Sequence, residues 1–210
     1  MEHSQAQEAT GPEHEPEPSA ETSPHDAPRI YVASLSDYNA GILHGTWLSA
    51  DLDVDELHEG ITKMLADSPT TRRYGDVAEE WAIHDYEGFG PVALGEYEAL
   101  ENLSLLGNGI VAHGQAFAAW WDNQDHNHTD TASLIEQFEE QYQGEFDSLA
   151  DYGQQLLDDW GIDLAELPGV PDSLRPHLMI DADGWVRDMR YGGEITTASS
   201  PNGFYVFLTS

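Results

Sequence analysis

The sequence predicts an α+β fold, and three observations predict it. Two β-branched and aromatic segments flank a turn in residues 29–50, which is typical of paired strands. Several later segments carry apolar residues at three- and four-residue spacing, which is typical of amphipathic helices. The last residues read as two short strands around a Pro-Asn-Gly turn. With 210 residues and 40% hydrophobic side chains, the chain can bury a sizeable core.

The first unit after an acidic N-terminal tail is predicted as β-β-α-β over residues 29–91. Residues 29–35 and 42–50 read as a hairpin, and residues 79–89 alternate well enough to form a third strand. Residues 53–67 have helical apolar spacing with acids in the first turn. The preceding residues 1–28, rich in Glu, Pro, Ser and His, are predicted to be disordered.

The remaining chain is predicted as a helical middle unit, residues 92–132, and a mixed α+β unit, residues 133–210. The middle unit reads as two helices separated near residues 107–109. The last unit reads as three helical segments followed by a pair of strands. They are a helix from 131 or 133 to about 143, a helix capped by Ser148 and Asp151 and ending near Trp160, a helical segment over 174–191, and the closing pair of strands.

The charge of the chain restricts its partners. Forty acidic side chains oppose seven basic ones, giving a formal net charge of -33 and a pI near 4.1. Such a charge argues against direct binding to nucleic acid or anionic membranes and favours basic protein surfaces. There are no cysteines, which excludes disulfides and thiolate metal sites and favours a reducing cytoplasm. We find neither a signal peptide pattern nor an apolar run long enough to span a membrane.

Residues 136–160, EQFEEQYQGEFDSLADYGQQLLDDW, contain many acids without one Lys or Arg. Their apolar spacing predicts a buried helical face made of Phe138, Tyr142, Phe146, Leu149, Leu156 and Trp160. The opposite face is then a carboxylate stripe of Glu136, Glu140, Asp147, Asp151 and Asp158. Side chains four residues apart on a helix have Cβ atoms about 5–6 Å apart, the same order as the phosphate spacing along one DNA strand. A protein that binds DNA through Lys and Arg could therefore bind this surface.

Acidic residues of the first unit extend this hypothesis. The candidate partner-binding carboxylates are Asp51, Asp53, Asp55, Glu56, Glu59, Glu136, Glu139, Glu140, Asp147, Asp151, Asp158 and Asp159. Three other interpretations stay open: a solvated acidic face without a partner, an acidic adaptor for another basic DNA-binding protein, and a metal-dependent hydrolase.

Other motifs give weaker signals for chemistry. Residues 51–56 suggest a calcium loop, but Glu56 and Thr62 stand where that loop needs Gly and Glu. Residues 126–128, HNH, offer two imidazoles without a third ligand. Residues 107–114 look like a phosphate-binding loop but follow a helix and lack a Lys. The pairs His84 with Glu87 and Asp181 with Asp183 could act in acid-base catalysis, although surface positions explain them more simply. We expect no catalytic site, no metal and no cofactor.

Several segments together resemble the ArdA family of antirestriction proteins. They are RIYVASLSDYNAGILHGTWL (29–48), EEWAIHDYEGF (79–89), FEEQYQGEFDSLADYGQQLLDD (138–159), IDADGWVRDM (180–189) and GFYVF (203–207). The resemblance implies an elongated protein of three small domains in which two copies pair through the last domain. It also implies a mimic of bent B-form DNA that occupies the DNA groove of type I restriction-modification enzymes and protects incoming mobile or phage DNA.

Dimerisation of so acidic a chain requires an apolar contact, because self-repulsion opposes association. We expect Trp185 and Met189 in the last unit to supply it, with Arg187 and Arg190 reducing the local negative charge.

Overall fold

The structure is a computed structural model that describes residues 27–75, 77–124 and 132–209. Within these ranges it has the predicted α+β fold, with two three-stranded antiparallel sheets and eight α-helices. In chain order the elements are β1 (Arg29–Ser34), α1 (Leu35–Asn39), β2 (Gly45–Ser49), α2 (Val54–Ala66), α3 (Pro69–Tyr74), β3 (Trp81–Glu87), α4 (Leu100–His113), α5 (Gln115–Trp121), α6 (Ala132–Gln141), β4 (Tyr142–Phe146), α7 (Leu149–Asp159), α8 (Ala182–Gly192), β5 (Ile195–Ser199) and β6 (Phe204–Leu208). Two 3-10 turns, Leu164–Glu166 and Arg175–His177, lie between α7 and α8.

The first sheet has the order β2-β1-β3, so the three predicted strands of the first unit are confirmed. Strand β1 is the central strand and pairs antiparallel with both neighbours. Its Ile30 lies opposite Leu48 of β2 on one side and Tyr86 of β3 on the other. Helix α2 contacts β1 and β2. Its N-cap residue is Asp53, whose carboxylate accepts a hydrogen bond from the Glu56 amide while the Glu56 carboxylate accepts one from the Asp53 amide. This reciprocal cap fixes the start of the predicted helix.

One apolar core extends from the first sheet to the second. It contains Ile30 and Leu57 of the first unit, Phe117 of α5, Phe138 of α6 and Phe207 of β6. Its middle part is aromatic, because the rings of Phe117 and Phe138 lie edge to face with their centroids 5.2 Å apart. The three predicted units therefore share apolar packing, with the middle helices between the two sheets.

The predicted break near residues 107–109 is wrong, because α4 continues to His113. Both glycines are places of close packing. A Cβ on Gly107 would lie 2.2 Å from the carbonyl oxygen of Ala50, and one on Gly109 would lie 2.2 Å from Cε1 of Phe117. The helix ends instead at Gly114, whose φ of +67° suits glycine.

The second sheet has the order β4-β6-β5. Strands β5 and β6 are the predicted closing pair, and residues 200–203 form the turn between them. Helices α7 and α8 pack together beside this sheet around a smaller core of Tyr152, Val186, Ile195 and Val206. The helix predicted over residues 174–191 is only partly confirmed, because α8 begins at Ala182 after the N-cap residue Asp181. Pro176 lies within a 3-10 turn, where a longer helix would lose a backbone donor.

Most of the predicted disordered tail, residues 1–26, lies outside the described residues. Pro28, at its end, is buried, and its carbonyl accepts a hydrogen bond of 2.8 Å from the Ala50 amide. No helix in the described part of the chain is long and apolar enough to cross a membrane.

Candidate partner-binding surface

The acidic group of the first unit lies at the start of α2. Asp53, Asp55, Glu56 and Glu59 are exposed, whereas Asp51 is half-buried and accepts a hydrogen bond from the Ser49 hydroxyl. Asp53 and Glu56 also form the helix cap, so these two carboxylates have a structural role as well. Acids in a first turn are stabilised by the positive end of the helix dipole, which offsets part of their mutual repulsion.

The acidic stretch 136–160 consists of the end of helix α6, strand β4 and helix α7. Strand β4 separates α6 from α7, so the prediction that Tyr142 and Phe146 lie on a helical face is wrong. These two residues pair with Phe207 and Phe204 of β6. Their spacing of four fits a strand as well as a helix, because residues four apart also share one face of a sheet. Trp160, predicted on the buried face, is 59% exposed just after the end of α7.

The carboxylates of this stretch are nevertheless on the surface. Glu136, Glu139 and Glu140 are exposed on α6, Asp147 is exposed between β4 and α7, and Asp151, Asp158 and Asp159 are exposed on α7. The predicted continuous stripe is therefore divided between two helices and the segment that joins them. The structure thus places eleven of the twelve candidate carboxylates in exposed positions, with Asp51 half-buried.

Several of these carboxylates have partners of their own within the chain. Asp151 accepts a hydrogen bond of 2.6 Å from the Ser148 hydroxyl, and Asp158 accepts one of 2.9 Å from the Gln154 amide. Glu139 lies 3.5 Å from Nε2 of His113. Six others make no side-chain hydrogen bond or ion pair to another described residue: Asp55, Glu59, Glu136, Glu140, Asp147 and Asp159. These six are free to meet cations from outside.

The basic side chains of the described chain do not neutralise the candidate carboxylates. Four of the seven form ion pairs with other acids: Arg29 with Glu87, Arg72 with Asp67, Arg175 with Asp172, and Arg187 with Asp183. Arg73 and Arg190 lie over the rings of Tyr74 and Tyr191. No Lys or Arg in the described residues forms an ion pair with any of the twelve candidates. The negative field at their surface is therefore not cancelled locally.

The two residues expected at a dimer contact are both on α8 and both half-buried. Met189 packs against the smaller core. Trp185 lies against Trp160, with the ring centroids 5.5 Å apart. The exposed ring of Trp160 and the half-buried ring of Trp185 together form an aromatic surface on the α7–α8 pair.

The motifs with a catalytic interpretation have structural roles here. His84 lies edge to face against Tyr38, with centroids 4.7 Å apart, and Glu87 pairs with Arg29. Asp181 caps α8, and Asp183 pairs with Arg187. Residues 107–114, considered as a phosphate-binding loop, are helix α4 and the glycine that ends it.

The metal-site candidates do not assemble in the described chain. Residues 51–56 form a cap and the start of a helix, and the HNH at 126–128 lies outside the described residues. No cluster of three or more His, Asp or Glu side chains in residues 27–75, 77–124 and 132–209 is arranged to hold a metal ion.

Sequence reasoning missed the buried carboxylate of Asp37. Its side chain is inaccessible to solvent, and Oδ1 accepts hydrogen bonds from the amide and hydroxyl of Thr70. Burial by itself would raise its pKa, but hydrogen bonds from Ser68, Thr70 and Ser34 lower that pKa well below its usual range. The segment SDYNAG reads only as a turn, so no local signal pointed to this contact.

Three tyrosines within or beside the second sheet are buried or half-buried. Burial raises the pKa of Tyr142, Tyr152 and Tyr205, and the charge of Glu145 adds to the effect at Tyr142 and Tyr205. These hydroxyls stay neutral near pH 7, so they add no charge to the acidic surface.

One family of known proteins matches most of the chain. The family model described as antirestriction protein (ArdA) matches residues 30–204. The match includes helices α2, α6 and α7, which carry most of the candidate carboxylates, and it ends at the first residue of β6. No curated protein matches the chain.

Proposed function

The chain belongs to the ArdA family of antirestriction proteins, and from this premise we propose that it inhibits type I restriction-modification enzymes by mimicking B-form DNA. In this proposal the protein occupies the DNA-binding groove of the enzyme and carries out no chemistry itself. The observation that supports it best is the set of exposed carboxylates on α2, α6 and α7 that no described Lys or Arg neutralises.

The carboxylates take the place of phosphates. Lys and Arg side chains that line a DNA groove would pair with Asp55 and Glu59 on α2 and with Glu136 and Glu140 on α6. Each exposed pair contributes only about 0.2–1 kcal/mol, so affinity requires many of them. Binding of this kind weakens steeply with salt, as DNA binding does.

The scaffold supports the mimicry because it holds the charges in place before binding. Helix α2 is fixed by the Asp53–Glu56 cap, and α7 is fixed by the Ser148 cap. A ligand that is already ordered loses less conformational entropy when it binds. The carboxylates are therefore positioned before binding, and little conformational entropy is lost in ordering them.

The proposed active form is a homodimer that pairs through the C-terminal part of the chain, around Trp185, Met189 and the exposed ring of Trp160. A two-fold contact of this kind joins two acidic surfaces into a longer one. The same proposal places the protein in the cytoplasm of a host cell, where it would protect incoming mobile or phage DNA from cleavage.

Cleavage of unmodified DNA by a purified type I enzyme tests the proposal. Increasing amounts of the protein should stop cleavage at near-stoichiometric levels, and raising the salt concentration should weaken the inhibition. Full cleavage at a large excess of protein would refute it. The acidic adaptor hypothesis would then be pursued by identifying basic proteins bound to the chain.

A further inference from the structure

A groove beside the third strand combines aromatic and acidic side chains. It encloses about 350 Å³, which is at the small end of the range of ligand pockets, about 300–1,000 Å³. Its lining residues are Leu35, Glu79, Glu80, Trp81, Tyr97 and Glu98. This volume is large enough to accept one long side chain of a partner.

Backbone hydrogen bonds form the walls of the groove. The Leu35 amide donates to the Glu80 carbonyl at 3.0 Å, which joins the start of α1 to the residue before β3. The Ile83 amide donates to the Glu96 carbonyl at 2.9 Å, which holds the segment before α4 beside β3. Trp81 lies opposite Ser34 in the sheet and packs its half-buried ring against the main core. The groove is therefore present before any partner binds.

The lining has the chemistry of a site for a cation. Tyr97 is 71% exposed although it borders the groove, and a tyrosine ring attracts cations to its face. Glu79 and Glu80 are exposed, and Glu98 accepts a hydrogen bond of 3.0 Å from Asn102. None of these three glutamates forms an ion pair with a Lys or Arg of the described residues. The groove thus lacks a counter-charge from the described chain.

We infer that this groove binds an arginine side chain of the protein partner. A guanidinium group is planar, can stack on an aromatic ring and can donate two hydrogen bonds to one carboxylate. An ammonium group offers charge without the planar stacking surface, so lysine fits this lining less well. The inference rests on the proposed function for the identity of the partner, a DNA-binding enzyme with basic residues in its groove.

The groove differs in kind from the distributed carboxylates on α2, α6 and α7. Those lie on open helical surface, where each pair contributes little. A preformed recess that accepts one anchor side chain is instead a common setting of a binding hot spot. Loss of this one groove should therefore weaken partner binding more than loss of two carboxylates elsewhere.

Titration of the full chain with a blocked tripeptide, acetyl-Gly-Arg-Gly-amide, tests the inference directly. The readout is the indole NMR signal of Trp81, assigned by its loss in Trp81→Phe and compared with the signals of Trp47 and Trp160. We expect a saturable shift of the Trp81 signal with the arginine peptide, a weaker one with a lysine peptide and none with a citrulline peptide. Equal shifts at all three indoles, or a stronger response to lysine, would overturn the inference.

Two variants locate the binding, and circular dichroism verifies that they fold. Tyr97→Ala and the double variant Glu79→Gln/Glu80→Gln should each weaken arginine-peptide binding about three- to tenfold. The matched control, Glu166→Gln/Glu194→Gln, removes the same charge at exposed positions in the C-terminal part of the chain and should bind as wild type. An equal loss in the control would mean that net charge alone attracts the peptide, and the inference would fail.

Inhibition of a type I enzyme separates this inference from the proposed function. If wild type inhibits and the two groove variants inhibit equally well, the groove is not an anchor, although the proposed function stands. If wild type does not inhibit, the proposed function fails, and the peptide titration alone decides whether the groove binds arginine. A Tyr97→Ala protein that inhibits at least threefold less well than wild type supports both.

Discussion

Oδ1 of Asp37 accepts a hydrogen bond of 2.8 Å from the backbone amide of Thr70, which is 33 residues further along the chain. The Thr70 hydroxyl donates to the same oxygen, and the Asp37 side chain is fully buried. The contact joins α1 to α3, although β2 and α2 lie between these two helices in the sequence. A charged acceptor with these donors is a strong structural link, because hydrogen bonds to charged groups contribute about 1.5–3 kcal/mol each.

The stability difference between the wild type and Asp37→Asn should depend on pH in a defined direction. Folding lowers the pKa of Asp37, so the folded state binds fewer protons than the unfolded state. Its contribution is therefore complete above about pH 5 and declines as the pH falls below about 4, the usual pKa of an aspartate. We expect Asp37→Asn to cost about 1–3 kcal/mol at pH 7 and less at pH 3. Urea unfolding of both proteins across this range measures the difference, and a constant difference would contradict the assignment.

Gly107→Ala should destabilise the protein although alanine is the better helix former by about 1 kcal/mol. The new Cβ would lie 2.2 Å from the Ala50 carbonyl oxygen, so a backbone segment must move. We expect a loss of about 1–3 kcal/mol in thermal or urea unfolding. The control is Gly95→Ala, where the nearest atom would be 3.9 Å away and the change should stay within about 0.5 kcal/mol. A Gly107→Ala protein as stable as this control would disprove the close packing.

The location of the carboxylates should matter more than their number. The quadruple variant Asp55→Asn/Glu59→Gln/Glu136→Gln/Glu140→Gln should inhibit a type I enzyme at least about tenfold less well, whereas each single change should have a small effect. A matched control, Glu13→Gln/Glu15→Gln/Glu17→Gln/Glu21→Gln, removes the same charge outside the family match. Dose-response curves for cleavage compare the two. Equal losses in both would show that only the net charge acts.

Dimerisation should depend on the aromatic surface of the α7–α8 pair. Trp160 is 59% exposed, so Trp160→Gln removes apolar surface with little cost to the core. Combined with Trp185→Gln it should shift the mass in light scattering from dimer toward monomer at micromolar concentration. Leu43→Gln is the control, because Leu43 is 78% exposed in the first unit. A wild-type protein that is monomeric under these conditions would contradict the proposed dimer.

Elements with strong local signals could be predicted from the sequence. The Asp53–Glu56 pair marks a helix start, and the Pro-Asn-Gly turn marks the closing strands, because both depend on neighbours within four residues. Strand β4 could not be predicted in this way. The spacing of Tyr142 and Phe146 fits both periodicities, and only pairing with β6 decides between them.

The remaining errors concern contacts between distant residues. Gly107 reads as a helix breaker until Ala50 is placed beside it, and Asp37 reads as a turn residue until Thr70 meets it. The exposure of the acidic residues is easier to predict from the sequence, because polarity and helical spacing place carboxylates on the surface. The groove at Trp81 and Tyr97 was not predictable, because a backbone contact between β3 and the segment before α4 creates it.

Displacement of DNA from a type I enzyme is the direct test of DNA mimicry. A fluorescently labelled duplex bound to the enzyme is titrated with the protein while its anisotropy is followed. DNA mimicry predicts release of the duplex at near-stoichiometric protein, with proportionally more protein needed as the duplex concentration rises. Inhibition of cleavage while the duplex stays bound would contradict DNA mimicry, because the protein would then act at another site.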